Sequence, residues 1–274
     1  MAFKLFDYQS SGKGVSKSAP QKKPFFKYWE IFGRKFWKLI ELNMLYVLFC
    51  IPIITFGPAT AALTHVMRKF ILEQPCFVFD EFFTAFKKNF KQSVFIGIVD
   101  VIMIVSVLIA CFQFLMNESL PDGSLVFICI MICCATLVFI MHFYIYLEIV
   151  ALNLSIGSIL KNAVFLVFLG VKRNFIALII NLAIISLIVL FLPFSVFAVI
   201  FLPLSLMCFT TTFICYPVIQ KYIVNPYYEE RGERNPELGP ITEEDIAENA
   251  VFVDRGGSEK EIKAAPKAHG KVIK

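Results

Sequence analysis

The chain has 274 residues, 58% of them hydrophobic, with 31 phenylalanines, a formal net charge of +5 and a mean hydropathy of +0.73. A soluble domain is nearer half apolar, and runs of about twenty apolar residues mark membrane spans. Such runs cover most of 39 to 217, which excludes an ordinary soluble domain and predicts an all-α, polytopic transmembrane bundle.

Residues 1 to 23 carry five lysines with Gly and Ser and read as a disordered basic arm. They contain no apolar stretch of the kind a cleavable signal needs, so the first span is expected to serve as an uncleaved anchor. Pro24 suits a helix start. Phe25, Trp29, Phe32 and Phe36 then recur on one helical face among Lys27, Arg34, Lys35 and Lys38. That pattern predicts an amphipathic helix lying on an anionic inner leaflet, with Trp29, Phe32 and Phe36 as interface anchors. It leads into a first span, about 39 to 56.

The stretch IPIITFGPATAAL, Ile51 to Leu63, breaks that span. Proline removes an amide donor and clashes with the preceding turn, and glycine is entropically costly in a helix. Within a bilayer, such a break survives only where protein or water satisfies the freed backbone groups. Pro52, Gly57 and Pro58 therefore predict a structural turn, followed by a short or re-entrant return helix over 58 to 72. Residues 75 to 92 carry a second aromatic stripe, including Phe82, Phe86 and Phe90 beside Lys87, Lys88 and Lys91. It too reads as a cytoplasmic interfacial helix with those three rings as anchors.

Four further full spans are expected over 94 to 116, 125 to 147, 175 to 192 and 195 to 216, making five in all. The membrane domain covers 24 to 220. The link 148 to 174 should be helical, and 221 to 274 a charged, flexible tail, with eleven acidic and eight basic residues from Glu229 onward. Basic residues favour the cytoplasmic side. Nine precede the first span, none lies in 117 to 124, three lie in 148 to 174, and five lie in 64 to 93. Every loop obeys the rule if the GPATAAL turn doubles the chain back. Both termini are then cytoplasmic, in a multi-pass protein of a bacterial plasma membrane.

The starts RKFWKLIELN, KNFKQSVFIG and RNFIALIINL suggest a weak repeat of three hairpins, each launched from a basic, aromatic lead-in. Eight cysteines form no CxxC pair, and Cys129 with Cys133 has no histidine at ligand spacing. They read as small apolar packing residues. No disulfide framework, metal or cofactor is expected. Nor is nucleic acid, because the lysines flank aromatic faces at span mouths, where lipid headgroups are the partner.

Ionisable groups inside a span are costly and mark candidate functional sites. Asp100 is the foremost, about two turns inside its span. Glu41, Asn43, His142, Glu148 and Asn181 complete the candidate intramembrane polar set. Each has a plainer reading. Glu41 and Glu148 lie close enough to the interface to be wet or to pair with Lys38 or Arg173. His142 and Tyr146 are placed for a local hydrogen bond, and the asparagines for interhelical ones. No Walker A, GxGxxG, HExxH or GxSxG pattern occurs, so no catalytic residue is assigned and the chain is not expected to be an enzyme.

The span ending PIITFGPATAAL, followed by FDEFFTAFKKNFKQ before the next span, resembles the YesL family of bacterial membrane proteins over about 40 to 220. The most specific parts are the Pro52 to Leu63 turn and the stripe of Phe82, Phe86, Asn89 and Phe90. The resemblance implies a small polytopic protein of Gram-positive type bacteria, without an established molecular function. It also implies genetic company with carbohydrate uptake and polysaccharide breakdown. The leading expectation is a non-catalytic accessory protein partnering a carbohydrate transporter. The alternative is a small transporter or channel with Asp100 on a polar path, and a membrane-embedded enzyme using Glu41, Asp100 or Glu148 comes third.

Overall fold

A computed structural model describes residues 23 to 116, 124 to 152, 154 to 232, 235 and 237. The basic arm, the 117 to 123 part of the acidic loop and most of the charged tail lie outside these residues. The chain divides into two units, Met1–Tyr227 and Tyr228–Lys274. The described part of the first is an all-α bundle.

Its helices are α1 (Pro24–Cys50), α2 (Phe56–Ile71), α3 (Val78–Met116), α4 (Ser124–Ala151) and α5 (Ile156–Leu169). They continue with α6 (Val171–Leu190), α7 (Ser195–Phe201) and α8 (Pro203–Ile219), the last running through a π turn (Gln220–Val224) into α9 (Asn225–Glu230). Among the described residues, four helical stretches are long and apolar enough to cross a membrane: Val78–Ala110, Val126–Ala151, Val171–Leu190 and Pro203–Glu230.

The expected first span, 39 to 56, is not one of the four. α1 is a single helix from the aromatic lead-in to Cys50, and only its last twelve residues, from Leu39 on, fall in that range. Pro52 ends it, and a 3-10 turn over Ile53–Thr55 reverses the chain. The reversal is held by the Thr55 hydroxyl, which donates to the carbonyls of Phe49 (2.5 Å) and Pro52 (2.7 Å). Further down, Tyr46 meets Thr60 at 3.1 Å, and Arg34 pairs with Glu73 at 2.6 Å. α1 and α2 therefore form an antiparallel hairpin.

Far from lying at the edge, α2 is the centre of the bundle. Eleven of its sixteen residues are buried, and it packs on α1, α3, α4 and α8. Small side chains make this possible. A Cβ on Gly57 would collide with the Ser93 carbonyl and sit 2.9 Å from the Gly97 Cα, and one on Gly97 would sit 2.5 Å from the Gly57 Cα. Two backbones in direct contact are the membrane solution to helix packing, where dispersion and hydrogen bonds replace the hydrophobic effect.

Helix α3 also departs from expectation. The 75 to 92 stripe and the 94 to 116 span are one uninterrupted helix, because no proline or turn residue separates them. Phe82 is fully buried, with the Phe49 ring against Phe82, Phe83 and Phe86 at 5.1–5.6 Å between centroids. α2 covers this half of α3. The stripe thus faces inward, while Phe86 and Phe90 are half-buried.

The 195 to 216 span is two helices, not one. Pro203 lacks an amide hydrogen and begins α8, and Leu202 leaves helical geometry at φ −143°. Asn43, wholly buried on α1, holds this corner. Its amide donates to the Val199 and Ile200 carbonyls, both at 2.8 Å, and its Oδ1 accepts from the Ser205 amide at 2.7 Å.

Candidate functional site

Ser93, Ile96, Gly97 and Asp100 recur at helical spacing, and all four are buried. This stripe is the inward face of α3, and it carries the Asp100 carboxylate to α4. There His142 and Tyr146 lie one turn apart. Asp100 Oδ1 meets His142 Nδ1 at 3.1 Å, and Oδ2 accepts from the Tyr146 hydroxyl at 2.8 Å. The His142 and Tyr146 rings sit 4.7 Å apart between centroids. Asp100 is 4% exposed, and among the described residues neither lysine nor arginine faces it.

Both partners of Asp100 look onto a half-open cavity of about 150 Å³ bounded by α1, α2, α4, α6 and α8. Polar groups on its wall include Tyr46, Thr60, Thr64, His142, Tyr146 and Asn181. The Asn181 side-chain amide donates to Thr211 Oγ1 and to the Ala177 carbonyl, each at 2.8 Å. Asp100 itself is outside the lining. It orients two cavity residues from behind, as a carboxylate fixes the tautomer of a histidine whose other nitrogen works elsewhere.

The arrangement can hold a proton. With the Nδ1 hydrogen donated to Asp100, a neutral His142 leaves Nε2 as an acceptor, and a protonated one adds a donor. The Tyr146 hydroxyl satisfies the second carboxylate oxygen in either state. A nucleophile paired with a base is not part of this geometry.

The remaining candidates are dispersed. Glu41 is exposed on α1, and Asn43 holds the α7–α8 corner. Glu148 is fully buried on α4. Its Oε2 accepts from Asn162 at 3.3 Å, and its Oε1 has no partner among the described residues. It is thus shut off from bulk solvent, and among the described residues it does not pair with Arg173. Trp29 is exposed, while Phe32 stacks on Tyr28 at 6.4 Å between centroids and Phe36 is half-buried. Among the described residues, no group of three His, Cys, Asp or Glu could hold a metal.

Sequence reasoning missed Tyr46, Thr60, Thr64 and Thr211 as cavity residues. A usable signal was present in Thr60 and Thr64, which lie one turn apart in the otherwise apolar run, 56 to 64, that opens α2.

A family described as a protein of unknown function, DUF624, matches residues 39–111. The matched segment runs from the apolar end of α1 through α2 and most of α3, so it includes the hairpin, the Gly57–Gly97 contact and Asp100. No curated protein and no solved structure matches the chain. The protein is an integral membrane protein by its apolar helices, and the family it resembles in this segment has no assigned activity.

Proposed function

We propose that this protein is a small proton-linked transporter or channel, with Asp100, His142 and Tyr146 as its protonatable centre. The single observation carrying the reading is a buried carboxylate bonded to two side chains that line a half-open, largely apolar cavity with several polar groups on its wall. Ionisable groups within membrane bundles characteristically serve proton relays and solute paths. The cavity is below the roughly 300 Å³ at which pockets for organic ligands begin, so in this conformation it suits water and protons.

Reconstitution into liposomes loaded with a pH-sensitive dye tests this. Wild-type protein should dissipate an imposed pH gradient, and Asp100→Asn and His142→Gln should each slow it at least tenfold. Flux that is equal in all three proteins removes the centre from the mechanism.

The cavity's small volume favours a second reading. The chain carries no solute itself and acts as a non-catalytic accessory to another membrane protein. The resemblance to the YesL family, and with it a Gram-positive source and a link to carbohydrate uptake, belongs to this reading. Wild-type protein with no flux, together with near-stoichiometric recovery of a permease from native membranes, would favour it. Both readings place the termini in the cytoplasm. Single cysteines in 64 to 93, in 117 to 124 and in the tail should then differ, only the 117 to 124 site reacting with an impermeant reagent in intact cells.

A further inference from the structure

A larger cavity, about 390 Å³, opens where the start of α6 meets the end of α8. Lys172 and Arg173 contribute from the first turn of α6, Pro217 from the last turn of α8, and Lys221 and Tyr222 from the π turn that follows it. Three cations thus line one concavity from two segments distant in sequence, and no acidic residue joins them. None of the three forms an ion pair with a described residue. Unpaired cations at the mouths of spans are common and usually just reach for water. Convergence on a single pocket is a different matter, because three like charges repel unless an anion sits among them.

The local backbone supports a built pocket. Pro217 removes one amide donor inside α8, and the helix then loosens into the π turn over Gln220–Val224. Such turns concentrate at functional sites. This one carries Lys221 and Tyr222, with the Lys221 ammonium 5.2 Å from the Tyr222 ring centroid. Opposite, Lys172 and Arg173 stand on the first turn of α6. Arg173 brings a planar fork matched to phosphate oxygens, and the lysines bring point charges.

We infer that this pocket binds a phosphate group, presented by an anionic lipid headgroup or by a soluble phosphorylated solute. It lies at the end of the bundle where Arg68, on the last turn of α2, donates to the Tyr216 hydroxyl at 2.7 Å. That end also holds the basic lead-in of α1, so the pocket sits at a membrane mouth, where anionic headgroups collect. The site is independent of the Asp100 centre.

The full chain in detergent, titrated with phosphatidylglycerol and followed by native mass spectrometry, provides the test. Wild-type protein should retain phosphatidylglycerol over phosphatidylcholine. Lys172→Gln and Lys221→Gln should each weaken retention about fivefold, the usual value of one basic residue at an anionic surface. Both lysines are exposed, so melting temperatures should be unchanged, and Arg173→Lys should retain part of the binding. Competition by millimolar inorganic phosphate would assign the site to a soluble phosphate, and its failure to compete would assign it to a lipid headgroup. Equal retention by wild type and the Lys172→Gln, Lys221→Gln double variant, with neither probe discriminating, would overturn the inference.

Discussion

Helix α2 and the outer part of the α3–α4 pair have opposite chemistry in opposite surroundings. α2 carries Gly57, three alanines and two threonines, and most of it is buried. Beyond Asp100, α3 continues to Met116, roughly 24 Å at 1.5 Å per residue. None of its described side chains there is buried, nor is any from Val126 to His142 on α4. Yet these stretches are dense in Ile, Val, Leu and Phe. In water the distribution would be reversed. In lipid, large apolar groups gain little from leaving the acyl chains, while small residues gain close backbone contact and polar ones gain partners. The interior is selected by smallness and hydrogen bonding.

The most damaging challenge to this contrast is Gly57→Leu. Its side chain would have to displace the backbone of α3, and overpacking of that kind costs about 3 kcal/mol or more. Thermal unfolding in detergent should show the protein failing to fold or melting far earlier, and a wild-type melting curve would refute the backbone contact. Next is Asn43→Ala, which strands two carbonyls and one amide at the α7–α8 corner and should cost about 2 kcal/mol. Tyr146→Phe removes one hydrogen bond to Asp100 and should cost about 1 kcal/mol by the same measurement.

The outer region supplies the smallest effect. Phe127→Ala should change stability by no more than about 0.5 kcal/mol, although it deletes a large apolar side chain. A tryptophan at position 127 should instead be quenched by brominated acyl chains, and one at position 82 should not. A loss of several kcal/mol at Phe127 would mean that protein, not lipid, covers the outer hairpin. Cys76 sharpens the boundary at the opposite end. Burial pushes its thiol above the ordinary range, so less of it is thiolate at neutral pH. With the other cysteines replaced, alkylation should lag behind a free thiol near neutrality and catch up as pH rises past the raised value.

Much of the architecture was legible in the residues. The Pro52, Gly57 and Pro58 break announced the reversal, and the basic loops required it to double back. The sequence could not reveal that α2, read as a short return helix, is the centre. Centrality depends on which backbones meet, and Gly57 and Gly97 are forty residues apart. The continuity of α3 was hidden because a charged aromatic stripe looks the same whether it rests on headgroups or against α2. At the site, Asp100 stood out by its cost in a span, and His142 with Tyr146 by their spacing. Their convergence on one carboxylate was not visible, since it depends on the register of α3 against α4. Glu148 is the reverse case. It lies at the end of its span, where water would be expected, and α5 closes over it.

The contact of Gly57 with Gly97 also orders events during synthesis. When residues up to Ile71 have been made, the hairpin of α1 and α2 has no partner for its glycine face, although its threonines already bond within it. Nothing within the hairpin can substitute, because the opposing surface is backbone that has yet to be made. The glycine face of the first hairpin is therefore completed only once Gly97 has been made, so a chain cut short between the two glycines should fail to mature as a smaller protein.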